Sequence, residues 1–185
     1  LTDTVGTMEN LPSGFLPLGS FSAGRSNSYG VVGLAYWANT TDILIDNPNK
    51  PWTQGKQTAQ TYWVDVRESG SNGPVNSQMW LAAKYGGFDD INANGTPASV
   101  STWHTNSDTL TNATAKGSPF SALSGPRPDN YFTGDNPDKM IASLSQIFNA
   151  VLSKSLSSSG ASISAIDFSG GSTAGAYTVK YNSKD

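Results

Sequence analysis

An α/β fold is what this sequence predicts, on three observations. The stretch TYWVDVRE, residues 61–68, alternates Tyr62, Val64 and Val66 against Trp63, Asp65 and Arg67, the period of a strand in strand-favouring residues. Apolar residues at helical spacing stand on both sides of it and again in a long stretch over 136–155. Near the C-terminus, ASISAIDFS and AYTVKY flank the glycine-rich turn GGSTAG, as the two strands of a hairpin would. Helix, strand, helix, long loop, helix and hairpin, in that order, describe an α/β layered unit with a β appendage. The chain has 185 residues, 36% of them apolar, enough to bury one core.

Residues 1–28 are rich in Gly, Ser and Thr and predict an irregular lead-in. YGVVGLAYWANTTDI (29–43) is nearly apolar through Trp37 and ends in Asn39, Thr40, Thr41 and Asp42, as a buried helix stopping in a polar turn does. Its Gly33 costs some helical propensity but allows a close neighbour. After the loop DNPNKPWTQGKQ and the strand, NSQMWLAAKY predicts a short helix, with Gly86 or Gly87 free to form a left-handed C-terminal cap. Residues 88–135 hold few apolar residues among many Asn, Asp, Ser, Thr, Gly and Pro, and read as a long functional loop. In NPDKMIASLSQIFNAVLSKS, Asn136 caps, Pro137 suits the first helical position, and Asp138 complements the dipole. Met140, Ile141, Leu144, Ile147, Phe148, Val151 and Leu152 form one apolar stripe, so a helix buried along that face is expected, ending in the serine run. The resulting organisation is a lead-in (1–28), an α/β portion (29–155) containing the loop 88–135, and a hairpin segment (156–185).

Several function classes lose their support on composition alone. The net charge is −3 and only 14% of residues are charged, so no basic stripe can neutralise a phosphate backbone, and nucleic-acid binding is not expected. There are no cysteines, hence no disulfide framework, thiol nucleophile or thiolate zinc site. No apolar run approaches the roughly 18–20 residues that span a bilayer. The opening LTDTVGTMEN lacks the features of a signal peptide, so an export signal would stand upstream or have been removed. With a single histidine, His104, and no G-x-S-x-G, neither a multi-histidine metal centre nor a nucleophile elbow is available, and the chain reads as non-enzymatic. Carboxylates such as Asp65, Glu68, Asp89 and Asp90 read as solvated rather than as a glycosidase pair.

One loop approaches a calcium motif. Asp90, Asn92, Asn94 and Gly95 fit positions 1, 3, 5 and 6 of D-x-[DN]-x-[DN]-G, with the Thr96 carbonyl at position 7. Positions 3 and 5 are neutral, however, and Ala98 and Ser101 stand where position 9 and the bidentate Glu belong. Turn chemistry without an ion is the expectation, and no cofactor is required. The alternative is a weak calcium site, with Asp89 and Asp108 as further sources of charge. Of five tryptophans, Trp37, Trp63 and Trp80 fall in predicted elements. Trp52 and Trp103 fall in loops and are candidates for contact with a partner or, in an alternative reading as a secreted carbohydrate-binding domain, with sugar rings.

Taken as an ordered set, YGVVGLAYWANTTDI, TYWVDVRE, AAKYGGF with its Asn/Gly-rich loop, PDNYF and the helix from NPDKM resemble the tip-associated adhesins of type IV pili, of the PilC/PilY type, across residues 28–181. The resemblance implies a bacterial, extracellular protein of the cell surface or pilus tip, acting with minor pilins and other tip components in pilus assembly and with a host surface ligand in adhesion. It also implies a von Willebrand A-like fold, of which this chain would carry the later part before a β-propeller. The family's metal-dependent adhesion motif, Asp-x-Ser-x-Ser, occurs nowhere in these residues, so the resemblance transfers no adhesion-site metal.

Overall fold

A computed structural model describes residues 1–16, 29–66, 75–111, 124–134 and 137–159. The chain divides into two compact units, Leu1–Ser143 and Leu144–Asp185. In the first, helix α2 (Gly30–Thr40) packs on α3 (Gln78–Tyr85) and on an additional helix, α1 (Thr2–Met8). Part of the predicted irregular lead-in is therefore helical. The seven residues of α1 show no strong periodicity, and contact holds them: Val5 is completely buried, and a Cβ on Gly33 would lie 2.8 Å from the Thr2 nitrogen. The close approach at Gly33 thus serves α1.

Ser77 starts α3, its hydroxyl accepting from the Trp80 N–H at 3.1 Å, as an N-cap does. The helix ends without a left-handed glycine, because Gly86 has φ −89. Its glycines are required for space instead. A Cβ on Gly86 would stand 2.7 Å from Thr61 Cβ and 2.9 Å from Ala35 Cβ, and one on Gly87 would overlap the Asn130 amide. That amide donates to Thr61 O at 3.0 Å, joining the end of α3 to the approaches of two strands.

The strands β1 (Trp63–Asp65) and β4 (Tyr131–Thr133) pair in parallel, Trp63 opposite Tyr131 and Asp65 opposite Thr133, with α3 packed against both. A separate antiparallel pair joins β2 (Thr109–Thr111) to β3 (Ser124–Pro126). The fold class is thus mixed α/β, with two two-stranded sheets among the described residues. The core is helical and aromatic: Tyr36, Tyr85 and Phe88 stack edge to face at 6.3 Å, beside Val5, Val32, Leu81 and Tyr131.

Helix α4 (Pro137–Ser159) begins at the predicted proline and runs through most of the serine run. Within the first unit, the Ser143 hydroxyl donates to Thr133 O at 2.9 Å. The expected burial of the apolar stripe is met only in part: Ile141, Leu144, Phe148 and Val151 are exposed, Phe148 by 58%, while Met140, Ile147 and Leu152 are half-buried. A periodic stripe shows which face of a helix is apolar, and cover must come from a second surface. The predicted hairpin strands over 161–181 lie outside the described residues. Among the described residues, no helix is long and apolar enough to cross a membrane.

Candidate functional site

The stretch predicted as a long partner loop, 88–135, contributes four aromatic residues to the core, while most of its residues over 91–101 are exposed. Phe88 and Tyr131 are almost fully buried, and Trp103 and Phe132 nearly so. Trp103 lies edge-on to Trp80 at 5.5 Å, and the Trp80 indole N–H donates to Pro126 O at 3.1 Å. Trp103 is therefore a packing residue whose faces are not open to a ligand. Polar side chains then pin the segment around it. The Asp129 carboxylate accepts from Thr105 N at 2.9 Å, Asp108 pairs with Arg127 at 2.9 Å, and His104 Nδ1 donates to Arg127 O at 2.9 Å. Asp108 is thus half of an ion pair within the fold. Asp89 is exposed, while its N–H donates to Thr102 O at 2.8 Å. The sequence could not show this packing, because isolated aromatics among polar residues carry no period.

The Asp90 turn is ordered by its own carboxylate. Asp90 Oδ1 accepts from the N–H groups of Asn94 and Gly95, both at 3.0 Å, and Asn94 Oδ1 accepts from Thr96 N at 2.9 Å. Gly95 has φ +72, and its Cα faces the Tyr36 hydroxyl on α2. Lys56 Nζ stands 3.6 Å from Asp90 Oδ2. Asn92 is exposed, and Ile91 beside it is 69% exposed. Among the described residues, no group of three or more acidic, His or Cys side chains is placed to hold a metal. Asp108, tied to Arg127, is not among the groups that meet Asp90.

Across the Lys56–Asp90 pair lies the loop that follows α2. Asp42 Oδ1 accepts from Gln57 N at 3.0 Å, and Ile43 N donates to Gln57 O at 2.9 Å, which closes its base. Thr53 Oγ1 accepts from Asn47 N at 2.8 Å and donates to Lys50 O at 2.9 Å, which holds its tip and the 3-10 turn Pro51–Thr53. On this frame stand Ile43, Leu44, Ile45 and Trp52, all exposed, Ile45 by 88% and Trp52 by 70%. A loop already fixed by hydrogen bonds of this kind loses little freedom on binding, and exposed apolar groups on it are the usual material of a contact surface. Of the two loop tryptophans, only Trp52 can serve such a surface. The apolar run ILI carried the missed signal, three aliphatics in a segment otherwise rich in Asn, Pro and Gly.

A second arrangement had no sequence signal. Glu9, just past α1, receives Lys84 Nζ at 2.6 Å and the Tyr85 hydroxyl at 2.7 Å on the same oxygen. Lys84 also stands over the rings of Trp80, Tyr85 and Trp103 at 5.3, 5.1 and 4.5 Å. Burial first, and then the Glu9 charge, push the Tyr85 phenol far above its ordinary value. The cluster fastens the first helix to the third and is largely closed to solvent.

The chain is similar in sequence to the type IV pilus biogenesis factor PilY1 homolog of Xylella fastidiosa Temecula1, with 34% identity over 139 residues. That match covers 71% of this chain and 10% of the relative, so the chain spans about a tenth of the length of that protein. No protein-family model matches the chain. No solved structure matches it.

Proposed function

We propose that this chain is a non-enzymatic, extracellular module of a type IV pilus biogenesis factor that contributes to pilus assembly and adhesion by binding proteins. The observation that carries the reading is the 34% identity to a protein named as such a factor, sustained over 71% of the chain. Its contact surface is the ordered loop with Ile43–Ile45 and Trp52, continued across Lys56 to the Asp90 turn. Minor pilins and other pilus tip components are the partners, and a host surface ligand the further target. The β1–α3–β4 unit with its parallel pairing is the part of the fold that supports a von Willebrand A-like reading, as a later portion of such a sheet.

Deleting residues 88–135 would remove Phe88, Trp103, Tyr131 and Phe132 from the core and unfold the protein, so point changes are the suitable test. Ile45→Asp and Trp52→Ala should leave the melting temperature within a degree or so of the parent, since exposed substitutions usually change stability by no more than about 0.5 kcal/mol. In cells that make type IV pili, the pair of substitutions should reduce co-purification with minor pilins and reduce surface piliation. Unchanged association and piliation by a folded double variant would refute the surface. If pili also assemble normally when the whole gene is disrupted, the pilus reading itself fails.

A further inference from the structure

The two edges of the β1–β4 pair are finished differently. Toward each other the strands are bonded through Trp63 and Asp65: the Trp63 N–H donates to Asn130 O and the Gly134 N–H to Asp65 O, both at 2.8 Å. Main-chain groups of successive strand residues turn to opposite sides, so Tyr62, Val64 and Val66 present theirs to the far edge. The far edge of β4 is closed by its own surroundings. Tyr131 O accepts from Arg127 Nη1 at 2.7 Å, Tyr131 N donates to Pro128 O at 3.0 Å, and Thr133 O accepts from the Ser143 hydroxyl at 2.9 Å. The far edge of β1 has no such closure: among the described residues, nothing pairs with the main-chain groups of Tyr62, Val64 or Val66.

An edge strand that stays open is normally protected by proline, lysine, a bulge or an inward charge. Here Tyr62, Trp63, Val64 and Val66 are apolar, and the one charge, Asp65, accepts a hydrogen bond from the Tyr131 hydroxyl. Parallel strands are moreover covered on both faces and read as near-continuous apolar runs when they are interior. One face of the open edge is already lined: a Cβ on Gly134 would lie 3.0 Å from Met140 Cε, 3.3 Å from Val64 Cγ1 and 3.6 Å from Val66 Cγ2.

We propose that the far edge of β1 is a strand-acceptor site, filled by an extended segment of the same gene product outside residues 1–185, which makes β1 an interior strand. The occupant is a β-strand with apolar residues beside Val64 and Val66 and main-chain bonds to Tyr62, Val64 and Val66. The choice of the same polypeptide rests on the reading of this chain as part of a longer pilus factor, since the matched relative is about ten times the matched length.

Residue-resolved hydrogen exchange, on the 185-residue chain and on the full-length gene product, tests this. The Val64 and Val66 amides should exchange fast in the chain alone and on the order of 100-fold more slowly in the full-length protein, with the laddered Trp63 amide slow in both. Equal exchange of Val64 in both would overturn the proposal, whether fast, with the edge empty, or slow, with the edge covered by residues of the 185-residue chain itself. Protection that appears in the chain alone as its concentration rises would overturn it in favour of a second copy, and protection that needs added pilus subunits in favour of a separate partner. Val64→Pro removes the outward N–H, which no β1–β4 bond uses, while its loss of the valine side chain and its fixed φ act in both proteins alike, so it should lower the melting temperature of the full-length protein more than that of the chain. An equal loss in both would count against the site. Piliation is not read in these measurements, so their failure leaves the pilus reading standing and the reverse.

Discussion

Replacing Glu9 tests whether α1 belongs to the fold or merely lies on it. One Glu9 oxygen accepts both Lys84 Nζ at 2.6 Å and the Tyr85 hydroxyl at 2.7 Å, and the side chains of the ion pair are only 13% and 15% exposed. Glu9→Ala removes a charge-assisted bond of about 1.5–3 kcal/mol and strands a phenol at a further cost of about 1–3 kcal/mol. It also leaves an ammonium held only by three ring faces. Breaking a buried pair costs about 3–5 kcal/mol, and the residual exposure lets water recover some of this, so a loss of about 3 kcal/mol is expected. The assay is urea denaturation with linear extrapolation, and an unchanged m-value would show that the denatured state is not responsible. Lys84→Met keeps the stem packed over the rings, so a double-mutant cycle of Glu9→Gln and Lys84→Met isolates the pair, with a coupling of at least about 1.5 kcal/mol. High salt should change this little, because a closed pair is weakly screened. A Glu9→Ala loss below about 1 kcal/mol, or additivity within about 0.5 kcal/mol, would refute the reasoning and detach α1 from the core.

Four further outcomes are expected. Gly87→Ala must displace the Asn130 amide from Thr61 O and should cost roughly 1–3 kcal/mol in urea denaturation, as overpacking does, whereas a neutral result would show slack at that junction. Phe148→Ala should change the stability of this chain by about 1 kcal/mol or less, because its ring is 58% exposed, and a loss near the ~3–5 kcal/mol of a core phenylalanine would show that the ring is buried after all. Tyr29, Tyr62 and Tyr85 all have phenols raised by burial, so the unfolded chain loses their protons first, and stability should fall as pH rises above about 10, chiefly through Tyr85, the most deeply buried, by at most about 1.4 kcal/mol per pH unit for that group. Thermal melts across that range with Tyr85→Phe as comparison check the sign, and a flat profile would contradict it. At the Asp90 turn, isothermal titration with calcium at about 10⁻³ M should show no saturable heat, and a heat that Asp90→Ala abolishes would establish a weak extracellular-range site instead.

Local periodicity determined α2, α3, the core of β1 and the start of α4, because each of those signals is contained in a window that the sequence displays whole. The Asp90 turn was legible for the same reason: its bonds run between residues at most five apart. What only the tertiary structure decided is set by contacts across long separations. Glu9 meets Lys84 and Tyr85 over 75 and 76 positions, and Asn39 donates to Phe88 O over 49, with nothing in the intervening chain to announce either. Trp52 and Trp103 show the difference most directly, since both stand in polar, aperiodic sequence, yet packing against Trp80 buries one and a hydrogen-bonded loop lifts the other to 70% exposure. Burial is a property of the surface that arrives opposite a residue. The sequence therefore determined which faces are apolar, on α4 and along β1 alike, while the fold decided that α3 packs against β1 and that, among the described residues, nothing pairs with the outer edge of β1.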